Sequence, residues 1–158
     1  RFMSPFRLSR LLLLLMGACF LSTEPDLGGM PIHDVRIKGQ LSLTASATER
    51  NDSLVVALAV ENRGATTGTL EFGACSFAVR SVSSGGRTWD NRIPPNAACI
   101  DLGRALVVQA GTTASTPVLQ VHRAHIGART GEDVTVNVYY RRMGQSDLSR
   151  LNAGRVSF

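Results

Sequence analysis

Leu54-Val55-Val56-Ala57-Leu58-Ala59-Val60-Glu61 places its larger side chains at every second position. Leu54, Val56, Leu58 and Val60 share one face, and the small Ala57 and Ala59 share the other. A period of two belongs to a β-strand with one buried face; a helix needs apolar residues three and four apart. The pattern continues on either side. Leu41, Leu43, Ala45 and Ala47 alternate with Ser and Thr, and the polar run Thr48 to Ser53 predicts a turn. Asn62-Arg63-Gly64 ends the quoted strand. Leu70 and Phe72 pair on one face of a short strand, and Cys75, Phe77 and Val79 alternate in the next. Ser83-Ser84-Gly85-Gly86 signals a turn. Arg87 to Gly103 reads as irregular, and Pro94-Pro95 excludes a central strand there. Strands resume over Ala105 to Ala110 and Thr116 to Arg123. Val134, Val136, Val138 and Tyr140 make the clearest one, and a polar connection from Gly144 to Arg150 leads to a last strand, Gly154 to Phe158. Seven to eight antiparallel strands and no helical stripe predict an all-β domain, a β-sandwich, with a single closed barrel as the alternative.

The chain of 158 residues fits one domain, and 44% hydrophobic with 18% charged residues excludes a disordered chain. The net charge is +5, but the first 18 residues hold Arg1, Arg7 and Arg10 and no acid. Without them 14 basic face 12 acidic residues, a balance of +2, and the nucleic-acid reading of a basic chain falls away. Those basic residues precede Leu11 to Leu15 and then Met16-Gly17-Ala18, the layout of a secretory signal peptide. The apolar run ending at Leu21 is too short to span a bilayer, which takes about 20 residues. Gly17-Ala18-Cys19 resembles a bacterial lipobox, with Met16 where Leu is preferred. The resemblance implies cleavage before Cys19 and acylation of Cys19; the alternative is an ordinary signal cut near Ala18 or Thr23. Residues 19–31, rich in Pro and Gly, predict a flexible tether, and residues 32–158 the folded domain. The expected location is the bacterial cell envelope, on a lipid anchor, facing the periplasm or the cell surface.

With Cys19 acylated, Cys75 and Cys99 remain, and an oxidising compartment favours one disulfide between them. There is no C-x-x-C for metal or redox work. His122 and His125, three apart in an expected strand, would point to opposite faces. No nucleophile elbow or phosphate-binding glycine motif is present. The expectation is therefore no enzyme, no metal and no cofactor. Asn51-Asp52-Ser53 matches a glycosylation sequon but reads as a turn. Trp89 is the one Trp, either a core-edge aromatic over the disulfide region or an exposed anchor. With Arg87 and Arg92 it forms a candidate partner-binding surface, since aromatic and Arg side chains dominate binding hot spots.

The order of features resembles the immunoglobulin-like domain named after the intracellular proteinase inhibitor of bacilli. The residues that carry the resemblance are Leu54 to Asn62, Leu70-Glu71-Phe72, Phe77-Ala78-Val79, Gly85-Gly86-Arg87-Thr88-Trp89 and Val107-Val108 with Gly111. It covers Leu41 to Phe158 and implies an immunoglobulin-like sandwich. The export signal and the Cys75/Cys99 pair set this chain apart from its intracellular namesake. Two functions are expected from these features. One is a non-catalytic binding or assembly module of the cell envelope, on a lipid anchor, with an envelope protein as partner. The other is an exported protease inhibitor acting through the loop 87–99, with Arg92 in a trypsin-like specificity pocket.

Overall fold

A computed structural model describes residues 31–91 and 103–158. The described chain is all-β, with no helix. In order the strands are β1 (Asp34–Lys38), β2 (Leu41–Arg50), β3 (Ser53–Asn62), β4 (Gly68–Phe72) and β5 (Ala78–Ser83). They continue as β6 (Thr88–Asp90), β7 (Arg104–Val108), β8 (Thr113–His122), β9 (Asp133–Arg142) and β10 (Leu148–Ser157). One sheet has seven strands in the order β6-β5-β9-β1-β4-β7, with β10 also paired to β9; the other is β2-β3-β8. The sheets face each other across one core, an arrangement consistent with a sandwich.

The core follows the alternation. Leu54, Val56, Leu58 and Val60 of β3 are fully buried, as are Val136 and Val138 of β9, Val79 of β5, Leu70 of β4 and Val35 of β1. Ala57 and Ala59 sit half-buried on the outward face of the smaller sheet. Tyr139 is also buried, on the outward side of β9, where it closes a small second cluster with Ile32 and Ala78.

Several expectations need correction. The described residues form ten strands rather than seven to eight. β1 has no long alternation to announce it, and β6, only Thr88–Asp90, lies inside the stretch read as irregular. The sheets are not wholly antiparallel: β1 runs parallel to β9 through Asp34↔Arg141 and Val35↔Arg142. The β2–β3 turn is tighter than the polar run suggested. Arg50 pairs with Ser53, and only Asn51 (φ 53°) and Asp52 (φ 58°) turn the chain. Both take the left-handed conformation of a two-residue primed turn, which Asn and Asp tolerate better than most residues. β5 begins at Ala78, leaving Cys75 in the preceding turn, and β10 begins at Leu148, well before Gly154. β8 ends at His122, so His125 lies in a turn and not on the opposite strand face. The two rings meet edge to face with centroids 6.4 Å apart.

Asn62 ties the two sheets together. Its side chain is buried, and Nδ2 donates to Thr66 O at 2.8 Å and to Val108 O at 2.9 Å, while Oδ1 accepts from Gly64 N at 2.9 Å. One amide thus closes the end of β3 and fixes the end of β7.

Candidate functional site

β7 runs along the edge of the larger sheet, and among the described residues β4 is the strand that pairs with it. The register puts Arg36, Glu71 and Ala105 in one row on the outward face, and Ile37, Leu70 and Leu106 in the next row, facing the core. Small residues at the end of the outward face, Gly73, Gly103 and Ala105, leave a trough of about 500 Å³. Arg36, Arg104, Glu71 and Met143 wall it. That volume lies in the ordinary range for binding sites. The Arg36 side chain reaches Met143 Sδ at 3.3 Å.

The charges of the trough are unevenly satisfied. Glu71 takes an ion pair from Lys38 and a longer one from Arg36 at 3.7 Å. The hydrogen bond from Lys38, helped by the charges of Lys38 and Arg36, holds the Glu71 carboxyl below its ordinary value. Asp34 is bound by Arg141 at 2.6 Å. Arg104 has no ion-pair partner among the described residues, so the trough carries one uncompensated cation.

Around the edge of β7 lies a second recess of about 170 Å³, lined by Phe72, Phe77, Pro117 and Val118 with Arg104 at its side. Phe72 and Phe77 stack edge to face, centroids 5.6 Å apart. Val118 reaches this slot because β8 bulges there: Val56 pairs with Leu119 but Ala57 with Pro117, so Val118 is the extra residue. Arg104 thus borders a trough with charged walls on one side and, on the other, a slot between the side chains of Phe72, Phe77, Pro117 and Val118 with Gly73 and Ala74 at its rim.

The residues singled out in the sequence take different places. The Arg87 guanidinium pairs with Glu132, and Nε donates to Gly127 O at 2.7 Å. Glu132, itself buried, also accepts from Gly85 N at 3.0 Å and Arg129 N at 2.9 Å. The Arg129 amide is the main cause that holds the Glu132 carboxyl below its ordinary value, with Ser83, Gly85 and Arg87 adding to it. Arg87 therefore fastens the β5–β6 turn to the loop before β9. Trp89, opposite Ser81 and in turn Val136, is half-buried and packs on the core. Arg92, Cys19 and Cys99 lie outside the described residues. Cys75 is half-buried in the turn after β4, and its backbone carbonyl accepts from His33 N at 3.0 Å. Asn91 caps β5: its Oδ1 accepts from Val79 N at 2.9 Å and its backbone N–H donates to Val79 O at 3.1 Å.

Sequence reading missed the recess, because Phe72, Arg104, Val118 and Met143 come from four separate stretches of chain. The one available signal was Arg104 opening an apolar edge strand, Ala105-Leu106-Val107-Val108. Among the described residues no group of three or more His, Cys, Asp or Glu is placed to hold a metal ion, and no helix is long and apolar enough to cross a membrane. No family model matches this chain, and no curated protein matches it either.

Proposed function

We propose that this chain is a non-catalytic binding or assembly module of the bacterial cell envelope, with an immunoglobulin-like sandwich carried on a lipid anchor at Cys19. The observation that carries the binding reading is the double recess around Arg104. An open concavity with aromatic walls, and with one cation that has no ion-pair partner among the described residues, is suited to holding a partner. The basic, leucine-rich leader and Gly17-Ala18-Cys19 support export and anchoring. A disulfide between Cys75 and Cys99 belongs to the same reading. It is supported by the oxidising compartment that export implies. Cross-linking in living cells tests the function. Recovery of one envelope protein from the wild type, lost in a chain with the recess altered, is expected; an absent partner together with an intact envelope in a deletion strain would refute it.

One observation favours a second reading, the exported protease inhibitor. Substrate-mimic loops must be held rigid before the protease arrives. Asn91 pins the first stem of the 87–99 loop to β5, and the Arg87–Glu132 pair fastens the turn beside it. Arg92 would then supply the residue for a trypsin-like pocket. Trypsin-like proteases left fully active by an excess of the purified protein would rule it out.

A further inference from the structure

We propose that the open edge of β7 takes up an extended peptide from the partner, with an apolar side chain in the slot and an adjacent carboxylate on Arg104. The inference rests on the binding-module reading and names the chemistry of what is bound.

A sheet edge exposes N–H and C=O groups in a row, and proteins usually blunt such edges. The other sheet edges among the described residues are blunted or occupied. β8 carries Pro117, which has no N–H to offer, and a bulge at Val118 that breaks its ladder. β6 has only three residues, and β10 packs beside β2. Among the described residues no strand pairs with the far side of β7, which has no Pro and no bulge, pairs straight with β4 over five residues and carries one charge, Arg104 at its start. It also displays Val107, 55% exposed, where blunted edges carry charge. Extended peptides add to edges of this kind through main-chain hydrogen bonds, and pockets for alternate side chains supply the selectivity.

Two such pockets flank the strand. The slot between Phe72, Phe77, Pro117 and Val118, about 170 Å³, holds one apolar side chain rather than a lipid tail. An apolar cavity of about 150 Å³ is enough for benzene. The charge of the site selects the neighbour of that side chain. Asp34 and Glu71 are already paired, and among the described residues Arg104 has no ion-pair partner. An Asp, a Glu or a terminal carboxylate beside the apolar residue would complete it with a charge-assisted hydrogen bond.

The test uses the full chain in detergent and two fluorescein-labelled peptides read by fluorescence anisotropy. One is Thr-Ser-Val-Thr-Asp-Leu with a free carboxylate; the other is Thr-Ser-Val-Thr-Asn-Leu amide. The acidic peptide is expected to bind at least tenfold more tightly. Arg104→Glu should remove that preference and Val118→Trp should weaken both peptides, while Arg150→Glu on β10 changes neither. Circular dichroism on each variant checks that it folds, and Arg104→Gln is the milder replacement if Arg104→Glu does not. No binding, equal binding of both peptides, or a preference that survives Arg104→Glu overturns the proposal. So does sedimentation showing a dimer that Val107→Lys dissolves, because the edge would then belong to a second copy. Failure here with a partner still recovered by cross-linking leaves the binding-module reading standing; failure of both removes it.

Discussion

Replacing Asn62 by Ala would strip Val108 O, Thr66 O and Gly64 N of their partner in one step. Leaving buried polar groups unpaired costs about 1–3 kcal/mol, and urea unfolding of Asn62→Ala should show a loss of that size. Asn62→Asp keeps the acceptor but loses both donations, and should be no better. Glu132 gives a pH signature. Its folded carboxyl titrates below the ordinary value of 4.5. A depressed value means that the carboxylate stabilises the fold at pH above 4.5, and that this contribution disappears as pH falls through the folded value. Glu132→Gln should therefore be less stable than wild type at pH 7, with the difference shrinking below the ordinary value in urea titrations at a series of pH values. The role of Asn62 was half legible: a hydrophobic strand ending in Asn marked the position, but the carbonyl of Val108 that it reaches lies in another sheet and leaves no local trace. Glu132 gave less still, because its partners come from the β5–β6 turn and from the stretch before β9.

At the scale of elements, two-residue alternation was a reliable guide wherever one strand face is buried and the other is open. Leu54 to Val60 and Val134 to Tyr140 read correctly for that reason. Leu58→Ala should cost about 2–5 kcal/mol, as a large-to-small change in a packed core does. A stop-codon-free library at Ala57, on the outward face, should tolerate polar residues. Alternation failed where strands are short or their partners distant. β1 buries only Val35 fully and carries Arg36 and Lys38 outward, so its charges resemble a loop. Bulges are equally silent. In β10 the register shifts between Asn152 and Gly154, with Gly154 at φ 102° and its N–H donating to Asn152 Oδ1. Gly154→Val forces a side chain into that region and should lower stability by roughly 1–3 kcal/mol, measurable as a lowered urea midpoint.

For the whole molecule, the export reading makes the sharpest predictions. Cys19→Ser should move the protein from the membrane to the soluble fraction and abolish incorporation of labelled fatty acid. A Cys75–Cys99 bond would close a loop of about 25 residues, worth roughly 3.5 kcal/mol in the chain-entropy account. Cys99→Ser should reduce stability accordingly, and mass spectrometry should find no free thiol at Cys75 in the exported wild type. The pairing of β1 with β9 bears on how such a chain comes together. Asp34 and Arg141 stand 107 positions apart. The chain leaves the ribosome amino end first. β1 therefore appears early and waits for nearly the whole domain before its parallel neighbour exists. Local contacts close sooner than distant ones. The β2–β3 hairpin, turned by Asn51 and Asp52, and the β9–β10 hairpin can assemble on their own, and β1 can pair with the nearby β4, but the parallel contact of β1 with β9 has to wait for β9. Until β9 emerges, the side of β1 that it will cover stays open, and a chaperone acting on this protein would find its work there.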